Sequence, residues 1–308
     1  MKSQKHFPFF FFLAGFLGLI STGCTQKNHP PIHPATPAVA KIKGLPADFR
    51  SGQIIDLASG EAIAFSDLIN RLQAKDLVFI GEVHDQAEHH LIQVQIMQRL
   101  LNKRPRAAVG IEFLPHTAQP AVDRYMAGNV SEQTFLEQAG WKDNWGLSFH
   151  LYRPLFQLSR EQGKALLALN APNDVVKNVA RKGLSGLKAK ERRLLAKSIN
   201  LDNEQHRDYV KEAFRAHAHG QLNNFDYFYQ AQCAWEETMA ENIAAYRHKQ
   251  ASKMVILSGN GHIIYKFGIP DRVQRRVAVD LATILLKPMN DSLIIDPQEA
   301  DFVWLTMN

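Results

Sequence analysis

Four short apolar runs in the chain each lead into residues that can do chemistry. Leu77-Val78-Phe79-Ile80 is followed by Gly81-Glu82-Val83-His84, and Ala107–Ile111 by Glu112. Lys164–Leu169 is followed by Asn170-Ala171-Pro172, and Met254–Leu257 leads to Gly259-Asn260-Gly261-His262. Two imidazoles and two carboxylates, Glu82, His84, Glu112 and His262, suit a divalent metal. They equally suit a hydrogen-bonding floor beneath a larger cofactor. The plainer alternative is that Glu82 and His84 cap and brace the turn after their strand. The flanking glycines permit tight turns and close backbone approach.

These residues act together only if the runs are parallel strands. Short apolar runs bounded by polar residues read as strands buried on both faces. Val277–Ile284 and Phe302–Thr306 are two further candidates. After the first run, Asp85-Gln86-Ala87-Glu88 resembles a capping box with aspartate as the cap. Leu91, Val94, Met97 and Leu101 then follow at helical spacing, widened by Ile92, Ile96 and Leu100, and Pro105 closes the unit. Strands alternating with helices predict an α/β fold: a mostly parallel central sheet flanked by helices, with a helical insertion around 172–250. In such a sheet ligands bind beyond the carboxyl ends of the strands. Glu82, His84, Glu112, Asn170 and His262 would converge there. No internal repeat of 20–50 residues is present.

The 308 residues are 45% hydrophobic and 21% charged, with net charge +6 and mean hydropathy −0.24. These values exclude wholesale disorder. Two cysteines exclude a disulfide-dense scaffold and a four-cysteine zinc site. No nucleic-acid recognition motif is present, so nucleic acid is not an expected partner.

Residues 1–23 contain no acid, carry Lys2 and Lys5, and run apolar from Phe7 to Ile20 with only Pro8 interrupting. The run is too short to span roughly 30 Å of hydrocarbon comfortably and fits a signal segment. Ser21-Thr22-Gly23 then precede Cys24, as in a bacterial lipoprotein signal whose cysteine becomes the acylated mature N-terminus, with chains such as palmitate. Ser21 stands where leucine is usual, and a conventional signal cut elsewhere or an uncleaved anchor is the alternative. Thr25 and Gln26 lack an inner-membrane retention aspartate, so outer-membrane residence is expected, facing the periplasm or the surface. Residues 24–47, with Pro30, Pro31, Pro34 and Pro37, read as a flexible tether, in which His29 and His33 read as solvated linker histidines, with a metal role the alternative. Residues 48–308 form the folded domain. With Cys24 acylated, Cys233 is a lone thiol, read as a small buried hydrophobe.

The ordered set Gly-Glu-x-His, Asn-Ala-Pro and Gly-Asn-Gly-His…Gly-Ile-Pro, with Gln232-Cys233-Ala234-Trp235-Glu236-Glu237-Thr238-Met239-Ala240, resembles the ChaN-like haem-binding lipoproteins from about Asp48 to Arg276. The resemblance implies a haem-binding protein of bacterial iron acquisition at the outer membrane. It also implies a homodimer enclosing two stacked haems, a tyrosine as ligand to ferric iron, and exchange with a haem receptor or transporter. The wider superfamily includes TIKI-type metalloproteases and erythromycin esterases. A metal-dependent hydrolase using Glu82, His84, Glu112 and His262 is therefore the alternative function.

Tyrosinate is a hard anionic donor that favours ferric iron. Tyr265, three residues after His262, is the first candidate, with the nearby imidazole able to tune its ionisation. Lys266 is either a propionate partner or a solvated lysine. Tyr152, in His150-Leu151-Tyr152-Arg153-Pro154 beside Trp145 and Phe149, is the second candidate; a core role for these rings fits as well. Phe225, Tyr227, Phe228, Tyr229 and Trp235 read mainly as helix packing. His217 and His219 read as loop histidines or propionate contacts. Lys177 to Lys197 holds eight basic residues, read as a solvated helix face or an anion-attracting rim.

Overall fold

Leu77, Val78, Phe79 and Ile80 are all fully buried. Val78 and Ile80 join one hydrophobic layer and Leu77 and Phe79 the other, as a strand of period two must when both its faces are covered. The computed structural model describes residues 38–307 apart from 103, 105, 218–223 and 291–292. The signal segment, Cys24, His29, His33 and His219 lie outside the described residues.

The strands are β1 (Ala40–Ile42), β2 (Asp48–Phe49), β3 (Ile54–Asp56), β4 (Glu61–Ile63), β5 (Leu77–Glu82), β6 (Ala108–Pro115), β7 (Ala165–Asn170), β8 (Met254–Gly259), β9 (Leu281–Pro288), β10 (Leu293–Ile295) and β11 (Phe302–Thr306). The helices are α1 (Phe65–Gln73), α2 (Ala87–Leu101), α3 (Gln119–Met126), α4 (Glu132–Gln138), α5 (Trp141–Asn144), α6 (Phe149–Glu161), α7 (Asn173–Lys182), α8 (Ala189–Arg192), α9 (Glu204–His217), α10 (Phe225–Lys249) and α11 (Ile269–Gln274).

The main sheet runs in the order β4-β3-β11-β9-β5-β8-β6-β7. From β11 to β7 all pairings are parallel; β3 and β4 add an antiparallel edge. Helices α1 to α6 pack on one face, and α10 with α11 on the other. The chain passes from β5 out to β6 and β7, returns to insert β8 beside β5, and then builds β9 and β11 on the far side. Adjacent β5 and β8 thus mark the topological switch point, the place beyond the strand ends where such sheets bind ligands. A small second sheet, β10-β1-β2, adjoins the α10 face.

The predicted α/β class is the observed one, and the described part of 172–250 is helical. Four details differ. Ala40 and Ile42 are buried and pair with β10 and β2, so the tether ends earlier than residue 47; two alternating apolar side chains suffice to dock three residues into a layer. Strands β1 to β4 are two or three residues long, too short to show periodicity. Strand β9 starts at Leu281 rather than Val277. The cap of α2 is Gln86, with no side-chain capping bond, and Asp85 precedes it; Val83 carbonyl accepts from Gln86 N–H in a turn that takes Asp85 out of the capping position.

Candidate functional site

The end of β5 and the start of α2 form a corner held by hydrogen bonds. Glu82 faces the α2 side, its side chain fully buried. One carboxylate oxygen lies 2.9 Å from His84 Nδ1 and the other accepts from Gln93 Nε2 at 2.8 Å. His90 Nε2 lies 3.0 Å from the His84 carbonyl. Tyr152 on α6 donates to that carbonyl at 3.1 Å and to Glu82 at 3.3 Å. His89 Nδ1 accepts from Val83 N–H at 2.8 Å, which leaves Nε2–H to donate to Thr306 Oγ1 at 2.9 Å. Burial pushes His89 down to about 4 and keeps it neutral. His84 is the most open of the four expected residues, its side chain 22% exposed, with Trp145 against it edge-on. Burial would lower its pKa, but the hydrogen bond to Glu82 and the charge of Glu112 outweigh burial and raise it.

The second half of the site comes from distant segments. Glu112 lies inside β6, just past Ile111 where pairing with β8 stops, and accepts the Gly259 N–H at 2.7 Å. Its other oxygen lies 3.3 Å from His262 Nε2. His262 Nδ1 is 3.2 Å from Glu236 on α10, and Trp235 packs edge-on against the ring. Burial alone would depress His262; Glu112 and Glu236 overcome it and raise the pKa to about 10. The imidazolium in turn holds Glu112 down against its own burial. Gly259 is required between the halves, because a Cβ there would sit 2.8 Å from His84 Cε1. Gly81 is equally constrained: a Cβ would meet Asn260 Oδ1 at 2.0 Å. Asn170 donates to the Glu112 carbonyl at 2.8 Å and accepts from Ala171 N–H, fixing the end of β7. All five residues thus come together at one end of the sheet, although Asn170 serves backbone groups only.

Tyr265 and Lys266 follow His262 on a short helical turn. Both have left-handed backbone, φ 55° and 61°, and neither is glycine. Such residues cost on the order of 1–3 kcal/mol each and persist only where neighbours enforce them. Here Tyr265 N–H donates to Glu299 carbonyl at 2.7 Å, and Lys266 Nζ pairs with Asp301 at 2.7 Å. The half-buried Tyr265 ring stacks on Phe267 and meets Tyr209 edge-on. The expected link from His262 to Tyr265 is replaced: the imidazole is engaged by Glu112, Glu236 and Gln232. Burial, Glu299 and Asp296 raise the Tyr265 pKa, so a bound cation, not this pocket, must favour the phenolate. Lys266 is ion-paired while 38% of its side chain stays exposed. Of the two roles open to Tyr152, its packing fits the core. It is fully buried among Phe113, Trp141, Trp145 and His90, and burial and Glu82 hold its hydroxyl protonated.

A family described as haem-binding uptake, Tiki superfamily, ChaN matches residues 68–273. The chain belongs to that family. ChaN of Campylobacter jejuni, solved with cofacial haem, is 20% identical with a TM-score of 0.66, over 82% of this chain and 95% of that one. That likeness establishes a shared fold. An erythromycin esterase mutant in its open conformation is 14% identical with a TM-score of 0.43, over 76% of each chain. The RRSP effector domain of a Vibrio vulnificus toxin is 17% identical with a TM-score of 0.40, over 78% of this chain and 40% of that one. No curated protein matched the chain.

This ChaN-family chain carries a buried ionic cluster that the sequence reading missed. Arg272, 1% exposed, donates to Glu236 at 3.2 Å and Glu237 at 2.8 Å. His206 lies 3.2 Å from Glu236, and Arg275 and Arg276 pair with Glu237. Burial would raise the Glu236 pKa, but His206, His262 and Arg272 hold it well below the carboxylate range. Cys233 is buried as expected, and Arg272 donates to its sulfur at 3.3 Å. The available signal was two adjacent glutamates in the apolar stretch Cys233–Ala240. Among the described residues, no three His, Cys, Asp or Glu side chains are arranged as a metal site. Glu82 and Glu112 already accept from Gln93 and from Gly259 N–H.

Proposed function

We propose that the protein is a haem-binding carrier of bacterial iron acquisition, acylated at Cys24 and held at the outer membrane. In this reading Tyr265 ligates ferric haem at the edge of the strand-end crevice, in a homodimer that encloses the cofactor. Haem asks for a flat apolar wall, an axial donor and nearby polar groups. The half-buried rings of Tyr209, Tyr265 and Phe267 offer the wall, and the Tyr265 hydroxyl the donor. Lys266 is the nearest cation on the same turn; to meet a propionate it must exchange its bond with Asp301. Haem would supply the iron for carriage, while the chain's own residues orient the porphyrin and exclude water.

One observation carries this reading: two successive left-handed non-glycine residues hold Tyr265 against an aromatic ledge beside the His262 loop. Family membership supports the haem-binding class. Titration of the apo-protein with ferric haem should shift the Soret band and saturate. Tyr265→Phe should remove the phenolate-to-iron charge-transfer absorbance while leaving the fold intact. An unchanged spectrum in that variant would move the ligand elsewhere. The metal-dependent hydrolase reading has weaker support, since its four residues are engaged with one another. Stoichiometric zinc, cobalt or manganese with no haem response would reverse the order.

A further inference from the structure

The segment Lys177–Lys197 holds eight lysines and arginines and one acid, Glu191, a net of 8 − 1 = +7. The whole chain carries +6, so all other residues together sum to 6 − 7 = −1. The excess charge of the protein is thus concentrated in 21 residues. The fold turns that charge outward. Val175, Val176, Val179 and Ala180 pack α7 onto α10, which leaves the opposite side of α7 to Lys177 and Arg181. The single acid is turned to internal duties: Glu191 accepts from Asn178 at 2.7 Å, from Lys188 N–H at 2.7 Å and from Lys182 at 3.5 Å, clasping α8 to α7. Arg192 is held by the carbonyls of Ala196 and Lys197. Arg181, Lys188, Lys190, Arg193 and Lys197 remain exposed, and none of the five is in an ion pair among the described residues.

We propose that this outward face of α7 and α8 is a docking surface for anionic phospholipid headgroups. A protein partner is a poorer fit, because interface cores favour apolar and aromatic anchors, and none of the large exposed apolar side chains lies in the segment. A single-stranded nucleic acid is a poorer fit too, since 177–197 contains no aromatic residue on which bases could stack. A dispersed set of cations without apolar anchors matches a fluid array of phosphates, each Lys or Arg near such a surface adding about 1 kcal/mol of attraction. The proposal rests on the Cys24 reading only for bringing the face within reach of a bilayer. Acylation supplies attachment; the patch sets which side of the domain lies down.

The test uses the acylated protein purified from membranes and reconstituted into vesicles of phosphatidylethanolamine alone or mixed with phosphatidylglycerol. A fluorophore at Ser185→Cys, selective because Cys233 is buried, reports quenching by spin-labelled headgroups. Quenching should appear with phosphatidylglycerol, fade as salt is raised, and fall in Arg181→Gln/Lys190→Gln/Lys197→Gln. Three neutralised charges should shift the docking equilibrium by on the order of 100-fold. The variant's ferric-haem spectrum should match that of the parent, which separates loss of docking from loss of folding. Equal quenching in both vesicle types, or no change in the triple variant, would overturn the proposal, as would retention of acidic protein or nucleic acid with no vesicle response. Failure to float with phosphatidylethanolamine vesicles alone would count against the Cys24 anchor. Binding of that unanchored protein to phosphatidylglycerol vesicles would then still support the patch.

Discussion

The two halves of the site hold their polar groups by different physics. At the β5–α2 corner the partners lie within a dozen residues, apart from Tyr152 and Thr306, and His89 there is kept neutral by burial. Around His262 the partners come from β6, α9, α10 and α11, and His262 and Arg272 are held charged between carboxylates. The β5–α2 corner tolerates the loss of one bond when each acceptor keeps another donor. A buried charged cluster does not, because a removed partner strands an ion.

The contrast can be broken most directly at Glu236. Glu236→Gln removes the carboxylate shared by Arg272, His206 and His262. It should cost about 3–5 kcal/mol, read as a fall in chemical-denaturation midpoint with Glu237 unaltered. Acidification comes next and acts on the other half. His89 has a folded pKa of about 4 against 6.5 when free, so protons bind the unfolded chain more readily. Its contribution is present above pH 6.5 and lost as pH falls toward 4. That is worth about 2 kcal/mol by pH 5, and denaturation curves at pH 7 and pH 5 measure it. Tyr152→Phe should have the smallest effect, about 1 kcal/mol. The Glu82 oxygen keeps His84, and the His84 carbonyl keeps His90. If Tyr152→Phe proved as damaging as Glu236→Gln, the distinction between the halves would fail.

The same contrast explains what could be read from the residues alone. Glu82 and His84 sit two apart after an obvious strand, so their shared corner was legible. Glu112 and His262 followed from the parallel-sheet pattern, since the carboxyl ends of neighbouring strands must lie together. Glu236 with Arg272 was not legible: the pair spans 36 residues, and helical periodicity does not say which of several charges turns inward. Tyr152 was left open between two roles for a related reason. An aromatic-rich helix offers both a core and a ligand-stacking role, and only packing against Phe113 and Trp141 decides for the core. The backbone of Tyr265 and Lys266 gave no sign either, because left-handed residues other than glycine are imposed by contacts such as those of Glu299 and Asp301.

Strand β11 lies between β3 and β9, and β1 lies against β10. The earliest folded residues therefore close only on the latest. During synthesis or passage across a membrane, the β3–β4 hairpin has no further strand to pair with until Phe302–Thr306 emerges, and pairings this far apart in sequence form slowly. A nascent chain stopped before residue 302 would lack the strand that joins β3 to β9 in the main sheet, leaving that sheet unfinished and open to capture by a chaperone or a protease.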